Sequence, residues 1–456
     1  MDNNGNAANS LTLAGSTPLI TVNALVAGAT AAINADMTVT AANGLTTTGV
    51  GTLMLGGSNS FAGLIVNGGT NMITGNTTIS GTGSSDFYLG NQCAAYNGTL
   101  DIENGAVLTV SGNFGDNFVV GRDSGSGTVI QNGGIFNYNP GNESYLFVGA
   151  TGFTGTRSAY DMNGGLLNLN GKILSVGFGN GVVTTGLLNQ AGGVITNVGT
   201  LALPALGTSG GCGCYTLSGG SISIGSGGIS SVSGNYAINL GGGTVGTYAS
   251  WSSPLNMTLT GSSSPVTFDT AANTITLSGA LSGSGGLTKV SSGTLILSGS
   301  NTYSGDTTVS AGILKLNVPS MANTSAIHLA NGAVLNLNFA GTNTVPAFYT
   351  NNVALPSGVY KASNLPGFIT GTGALLVDIP TAPTNVRCSL SGDNLALIWP
   401  ANYLGWILQE QIDALNMGLS TNWVDVAGSA NLISTNLPIN PANQTVFYRL
   451  RYPSSY

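Results

Sequence analysis

Two pairs of acidic residues lie close enough in the sequence to act together on a substrate. Asp101 and Glu103 are two positions apart, and Asp116 and Asp123 are seven positions apart. Hydrolysis of a glycosidic bond requires two carboxyl groups held at a fixed separation. Within Leu100–Glu103 apolar and acidic residues alternate, so on a strand both carboxylates face solvent. Acids on the solvent face of a strand are usually only solvated, and we predict that these are not catalytic.

The other residues that could do chemistry are too sparse to form a catalytic arrangement. The chain has one histidine, His328, which leaves no triad to build with a separate base. Lyase chemistry on acidic sugars needs a basic cluster, whereas Arg157 and Lys172 are well separated in the sequence with no further basic residue beside them. We therefore predict a protein that is not an enzyme, with no catalytic, cofactor-binding or metal-binding residues and no cofactor.

The elements that carry these residues repeat along the chain. Gly51–Gly63 returns as Gly293–Gly305, with the shared pattern Gly-Thr-Leu-x-Leu-x-Gly-Ser-Asn-x-Phe/Tyr-x-Gly. Between the two copies, a looser unit is centred on five Gly-Gly pairs: Gly133/Gly134, Gly164/Gly165, Gly192/Gly193, Gly219/Gly220 and Gly242/Gly243. Two residues before each pair stand Gln131, Met162, Gln190, Leu217 and Leu240. Self-similarity at this period, about 23–31 residues, is typical of stacked coils.

Short runs that alternate between apolar and polar residues predict strands, and no window carries a helical stripe. Because each Gly-Gly unit returns after the length of a coil rather than of a hairpin, we predict a parallel β-helix instead of an antiparallel sandwich. Its corner glycines should adopt a positive φ or approach neighbouring backbone closely. At about 22–31 residues per coil, residues 10–378 give roughly 12–16 coils and a stack of about 60–75 Å. One inward column should contain Phe136, Leu167, Ile195, Ile222 and Val245.

The chain has four cysteines, Cys93, Cys212, Cys214 and Cys388. Cys212 and Cys214 lie on the same side of any strand, as packed thiols, a strained local disulfide or half of a metal site. With neither Cys388 nor the single histidine nearby in the sequence, the metal signal is weak and we favour packed thiols. A disulfide between Cys93 and Cys212 would span about four coils, or roughly 19 Å, against the ~7 Å that a disulfide allows.

Residues 285–316 resemble the autotransporter-associated β-strand repeat, also called the passenger-associated transport repeat. The segment GGLTKVSSGTLILSGSNTYSGDTTVSAGILKL carries the resemblance, and residues 47–70 form a looser copy. The resemblance implies a large exported bacterial protein whose repeats form a right-handed β-helix, displayed on or released from the cell surface.

The texture of the sequence changes around Pro380–Pro383. Glycine becomes less frequent, and three of the four tryptophans follow: Trp399, Trp406 and Trp423. We predict a solenoid domain over residues 1–379 and a separate small β domain over residues 380–456, behind a proline linker. The second domain resembles a fibronectin type III-like β-sandwich. Trp399 lies on an alternating strand and is expected in its core rather than on a sugar-binding platform.

Composition excludes two classes of partner. Charged residues make up 5% of the chain, the net charge is −7, and no lysine or arginine precedes Arg122. This is the opposite of the basic surface that nucleic acid requires. No run of about 18 apolar residues predicts a membrane span. The stretch 19–35 alternates like a strand and lacks a basic start, so an export signal is expected upstream of residue 1 or is missing from this chain.

Three functions remain open on these grounds. The first is a non-enzymatic extracellular structural protein, whose unpaired coil ends would join head-to-tail into a surface fibre or layer. The second is a surface adhesin that binds glycans or host surfaces. The third is a polysaccharide lyase or hydrolase, which would depend on Asp101.

Overall fold

The structure is a computed structural model of the chain. It describes residues 10–23, 29–81, 83, 86–91, 96–114, 118–142, 144–152, 156–178, 184–204, 211–232, 235–378, 386–400, 403, 405–415 and 418–451.

The first part of the described chain winds through parallel sheets, each receiving one strand from every coil. Face A contains 16 strands: Leu11–Leu13, Met37–Val39, Asn59–Phe61, Asn76–Gly81, Val107–Gly112, Ile135–Tyr138, Leu166–Asn168, Val194–Val198, Ser221–Ile224, Thr244–Thr247, Val266–Asp269, Leu287–Val290, Thr307–Val309, Ile327–Leu329, Phe348–Thr350 and Val353–Ala354. Face B contains nine: Leu19–Val22, Leu45–Gly49, Leu64–Val66, Phe87–Asn91, Phe118–Asp123, Tyr145–Gly152, Ile173–Val176, Thr200–Ala202 and Ile229–Ser230. Face C contains 11: Thr30–Ile33, Thr52–Leu55, Gly68–Ile73, Asn97–Ile102, Ser126–Gln131, Arg157–Met162, Thr184–Gln190, Gly211–Leu217, Asn235–Leu240, Met257–Leu259 and Leu281–Ser282.

Face A continues through the later coils, whereas face D takes the place of face B and face C ends at Leu281–Ser282. Face D takes the second strand of each coil: Trp251–Ser253, Thr274–Leu277, Thr294–Leu297, Ile313–Leu316, Val334–Leu337 and Ile369–Gly371. A last sheet, face E, is formed by Thr342–Val345, Ala374–Val377 and Gly358–Tyr360. The predicted parallel β-helix is therefore confirmed. Of the 16 strands of face A only the last is antiparallel, which leaves 15 stacked coils, within the predicted range.

The predicted inward column is confirmed on face A. Phe136 pairs with Leu167, Leu167 with Ile195, Ile195 with Ile222, and Ile222 with Val245, all in register. Each of these five side chains is at most 1% exposed. They belong to one apolar core that runs from Val22 to Val377. At about 1.5–3 kcal/mol per fully buried side chain, such columns hold each coil on the next.

Glycines form the corner between faces C and A, as expected. The second glycine of every Gly-Gly pair has a φ between 61° and 74°: Gly134, Gly165, Gly193, Gly220 and Gly243. A Cβ atom at Gly165 would lie 2.3 Å from the backbone oxygen of Gly133 on the preceding coil. Glycine is therefore required twice over, by the left-handed backbone and by the close approach of stacked coils.

Coil length varies more than the sequence predicted. Asn137 and Asn168, which are register partners on face A, are 31 positions apart in the chain. Asn59 and Thr77, also partners on this face, are only 18 positions apart. The expected lower bound of coil length was wrong because it was read from the Gly-Gly units alone. The later copy of the repeat is also compact, since Leu287 pairs with Thr307 on the next coil.

Antiparallel strands close the C-terminal end of the solenoid. Val353–Ala354 pairs with the last parallel strand of face A, and Gly358–Tyr360 pairs with Ala374–Val377. Four side chains of this closing segment pack against the solenoid core: Leu355, Tyr360, Leu365 and Phe368. The last coil thus has an apolar cover made from its own chain.

Residues beyond 386 form two antiparallel sheets with a separate core. One sheet contains Arg387–Ser391, Asn394–Ile398 and Ser434–Pro438, and the other contains Val424–Asp425, Ile407–Asp413 and Thr445–Arg451. A 3-10 turn lies at Ser429–Asn431. The core comprises Leu397, Trp399, Tyr403, Trp406 and Leu408, so the expected burial of Trp399 is confirmed. The expected domain boundary at 379/380 lies outside the described residues, and the likeness to a fibronectin type III domain stays a prediction.

Candidate functional site

The connections between strands indicate which flank of the solenoid varies. From the first coil to Thr244, the corner between faces C and A contains two to four residues in every coil. The connections on either side of face B contain one residue between Val198 and Thr200 but eight between Ala202 and Gly211. In solenoid proteins such insertions collect on one side, which is often the side that binds a ligand.

Face C, which follows these connections, has a shallow depression of about 290 Å³. Its floor is Ala159, which stands in register between Thr128 on the preceding coil and Leu187 on the next. Because both neighbours have longer side chains, the surface dips at Ala159. Ala159 is flanked on its own strand by Arg157 and Asp161, and Ser158 and Asn189 complete the lining.

The two charged residues of this depression are held differently. The Asn189 amide Nδ2 donates to Asp161 Oδ1 at 2.8 Å, which fixes the carboxylate from the next coil. Arg157 is exposed, and no hydrogen bond or ion pair of its guanidinium is found within the described part of the chain. Four residues at ~3.3 Å each separate the two backbone positions by about 13 Å. A cation and an oriented carboxylate thus stand at the two ends of an uncharged floor.

The carboxyl pair Asp101/Glu103 is bound by an amide from the next coil. Asn132 Nδ2 donates to Asp101 Oδ1 at 3.1 Å and to Glu103 Oε1 at 3.0 Å. Partial burial, together with the adjacent Glu103, raises the pKa of Asp101 to about 6. Leu100 and Ile102 are fully buried, as predicted, but Asp101 is half-buried rather than freely solvated because the following coil covers one side of it. Asp116 lies outside the described residues.

The remaining residues singled out from the sequence do not converge. Asp123 Oδ2 lies 3.7 Å from Nε of its chain neighbour Arg122. His328 projects from face A, stacks on Tyr349 with ring centroids 4.4 Å apart, and has Nε2 3.6 Å from Asp306 Oδ2. The close approach of His328 lowers the pKa of Asp306. Arg157 begins a strand of face C whereas Lys172 precedes one of face B, so no basic cluster forms between them.

The paired cysteines are thiols on the outer side of face C. Cys212, Cys214 and Cys388 are free, and Cys93 lies outside the described residues. Burial, with Cys214 as a lesser cause, raises the pKa of Cys212, which lowers its thiolate fraction and its reactivity. Within the described residues no group of three or more potential metal ligands is found.

Sequence reasoning missed an aromatic cluster on the outer side of face B. Tyr88, Val119 and Phe147 follow one another in register and are at most 7% exposed. The Arg122 guanidinium lies 4.4 Å above the Tyr88 ring, and Tyr145 stacks on Phe147 at 5.0 Å. The sequence pattern that predicts this cluster is an aromatic or apolar residue at an outward strand position in three successive coils. The sequence analysis considered only inward positions.

Comparison with protein families identifies two segments of the chain. Residues 45–70 and 287–316 match the family model of the passenger-associated-transport-repeat. Both segments are therefore similar to the passenger-associated transport repeat. No curated protein and no solved structure gives a significant match.

The two passenger-associated transport repeats place equivalent residues inside the solenoid. Asn59 and Asn301 are 3% and 5% exposed, and Phe61 and Tyr303 are each 1% exposed. The first repeat begins on face B, whereas the second begins on face A. The repeat is therefore a strand–corner–strand unit that fits more than one side of the coil.

The repeat and the fold together fit a surface-associated β-helix protein. A passenger-associated transport repeat indicates a secreted or surface-displayed passenger. Among the helices of the described chain, none is long and apolar enough to cross a bilayer.

Proposed function

We propose that this chain is a non-enzymatic extracellular structural protein, a β-helix rod at the bacterial cell surface. The observation that carries the proposal is the continuous ladder of 15 parallel strands on face A, with one register shift between Ile195 and Val198, and a segment similar to the passenger-associated transport repeat in an early and in a late part of the stack. A rod of this kind gains stability from each coil's neighbours, so it can present a long, weakly charged surface.

The non-enzymatic part of the proposal is supported by how the candidate carboxylates are used. Oxygens of Asp101 and Glu103 accept hydrogen bonds from Asn132, and Asp123 lies beside Arg122. These contacts tie neighbouring residues and coils together. Incubation with pectin, alginate and neutral polysaccharides should release no new sugar ends. Cleavage that disappears in Asp101→Asn would replace this proposal with the hydrolase.

Electron microscopy of the purified chain tests the rod itself. Fifteen coils have 14 intervals, which at ~4.8 Å each predict a solenoid about 67 Å long and one coil wide. Globular particles without an elongated part would contradict the proposal.

Head-to-tail assembly into a fibre or layer is the finer form of this proposal. An open coil end offers about a dozen ladder hydrogen bonds at ~0.5–1.5 kcal/mol each, against an association cost of ~4–15 kcal/mol. At the C-terminal end, growth would have to displace Val353–Ala354 and the side chains that cover the last coil. Concentration-dependent fibres by negative-stain microscopy would support assembly, and monomeric rods at high concentration would remove it.

Adhesion is a second candidate, favoured by the variable connections beside face B and the depression on face C. In this version the rod holds glycans or host surfaces and residues 380–456 attach it to the cell. Glycan-array binding by the full chain, compared with a variant lacking residues 384–456, would assign a ligand to the rod or to the C-terminal unit. Absence of binding by both would remove this candidate.

A further inference from the structure

We propose that the depression around Ala159 on face C binds a neutral, hydroxyl-rich oligosaccharide that lies along the strand Arg157–Met162. This goes beyond a structural rod by assigning a ligand class and a place to the adhesion surface. A rod that bound no saccharide at this place would leave the structural proposal intact.

The shape of the site follows from one residue. Ala159 has no atom beyond Cβ, whereas Thr128 and Leu187 on the adjoining coils rise beside it in the same column. The resulting depression of about 290 Å³ is open to solvent along the strand. A ligand can therefore enter without any movement of the backbone.

The polar groups of the site match hydroxyl groups. Arg157 offers several N–H donors in one plane, and Asp161 is an acceptor already oriented by Asn189. Sugar hydroxyls both donate and accept, so neighbouring hydroxyls can satisfy a guanidinium at one end and a carboxylate at the other. The hydroxyl of Thr128 adds a group that can do either.

The lining between the two charged ends combines polar and apolar groups, and its larger part is polar. Leu187 and Ala159 present carbon atoms to the ligand, and Ile130 pairs in register with Asp161 from the preceding coil. A sugar ring has apolar C–H faces, which gain by covering such a floor. A mostly polar lining with a small apolar patch matches a ligand whose surface consists mainly of hydroxyl groups.

Charge selects a neutral ligand over an acidic one. Asp161 belongs to the site, and Asp101 lies two ladder positions away in the same outward column. The whole chain has a net charge of −7. An acidic polysaccharide would meet this field on approach, and Arg157 is the only cation that lines the depression among the described residues.

The test replaces two alanines of the same outward column, one inside the site and one outside it, by leucine. Ala159→Leu fills the depression, whereas Ala237→Leu makes the same change three coils further along the same column, outside the site. Binding of hexasaccharides of glucose, xylose and mannose is measured by isothermal titration calorimetry on the full chain, with hexagalacturonate as the acidic counterpart. We expect a neutral hexasaccharide to bind, Ala159→Leu to weaken it at least about tenfold, and Ala237→Leu to leave it unchanged.

A second variant addresses the polar end without changing the shape. Asp161→Asn keeps a carbonyl acceptor for Asn189 but removes the charge, and we expect binding about tenfold weaker. The proposal is overturned if no neutral hexasaccharide binds at millimolar concentration or if only hexagalacturonate binds. It is also overturned if the two alanine variants behave alike. Circular dichroism confirms that each variant keeps its strand content.

Discussion

At the scale of the residue, the solenoid core admits polar side chains where a corner carbonyl needs a donor. Gln131 Nε2 donates to the Leu166 carbonyl at 3.0 Å, and its Oε1 accepts from Tyr160 Oη at 2.6 Å. Gln190 repeats the arrangement with Ser221 and Tyr215 two coils later. Burial raises the pKa of both tyrosines well above the ordinary value, so they remain neutral donors. These glutamines occupy a column that otherwise holds Met162, Leu217 and Leu240, and their partners close the backbone corner rather than bind a ligand.

Lys289 is a buried polar residue whose substitution should lower stability. Its fully buried Nζ donates to Thr270 Oγ1 at 2.9 Å and to the carbonyl oxygens of Val290 at 3.0 Å and Ala311 at 2.9 Å. Lys289→Met removes these three hydrogen bonds. The Val290 carbonyl still accepts from Thr270 Oγ1 at 3.1 Å, but the Ala311 carbonyl loses its Nζ donor, so the free energy of unfolding should fall by about 3 kcal/mol. Lys315→Met, on the outer side of face D, is the matched control and should change it little. Equal urea midpoints for the two variants would contradict this account.

Asp101 gives a prediction about pH. In the folded chain its pKa is about 6, above the ordinary value of 3.8, so the folded state keeps a proton that the unfolded state loses between these values. The contribution of Asp101 to stability is therefore present at low pH and is lost as the pH rises through about 6. Asp101→Asn keeps an acceptor for Asn132 without the charge.

The measurement is the urea midpoint of each protein across this pH range. Between pH values of about 4 and 7, we expect the urea midpoint of the wild-type chain to fall more steeply than the urea midpoint of Asp101→Asn. Asp393→Asn, in an exposed turn, should follow the wild type. Parallel curves for the wild type and Asp101→Asn would show that the carboxyl is not desolvated.

At the scale of the element, the corner between faces C and A determines the stacking. It contains two to four residues as far as Thr244, whereas the connections beside face B contain one to eight, and its glycines lie against the backbone of the preceding coil. The corner between faces C and A thus varies little in length, and most of the variation in coil length lies in the connections beside face B. This separation explains how short and long coils share one continuous ladder.

Two glycines separate backbone strain from steric stacking. Gly165 has a φ of +74° and faces the backbone of Gly133. Gly171 has a φ of +82°, but a Cβ atom at this position would have no atom within 4 Å apart from those of its chain neighbours. Gly171→Ala should cost about 1–2 kcal/mol through its left-handed conformation alone. Gly165→Ala carries the same strain plus a clash with the stacked coil, so its thermal midpoint should fall clearly further. Equal thermal midpoints for the two variants would contradict the close approach of coils at this corner.

The sequence was sufficient for those features that depend on period. The column from Phe136 to Val245 and the left-handed corner glycines could be predicted because both return at every coil. Features that depend on what lies across the ladder could not be predicted. The depression at Ala159 exists only because Thr128 and Leu187 are its register partners, and each of these belongs to a different coil, far from Ala159 in the sequence. The sequence suggested Lys172 as the basic residue to combine with Arg157. In the structure, the charged residue that lines the same depression as Arg157 is Asp161, further along the same strand.

At the scale of the whole molecule, the ends and the sides of the rod have different roles. One apolar core runs through the stack, and the chain closes its C-terminal end with antiparallel strands and four packed side chains. The sides carry short, mostly uncharged residues in ladders, such as Asn163 donating to Asn132 at 3.0 Å. The architecture thus combines a continuous apolar core with a long, weakly charged outer surface.

Spin-label distances along face A test the stacking of coils most directly. Thr109, Asn137 and Asn168 project outward in one column with Thr38, at three, four and five ladder steps from it respectively. In a background with all four cysteines replaced by serine, pairs that join Thr38 to Asn137 and to Asn168 should give narrow distances of about 19 and 24 Å. An increment of one strand spacing between Asn137 and Asn168, a full coil apart in the sequence, is the result that the stacked coil predicts. Broad distributions, or distances that grow with sequence separation instead of ladder steps, would contradict it.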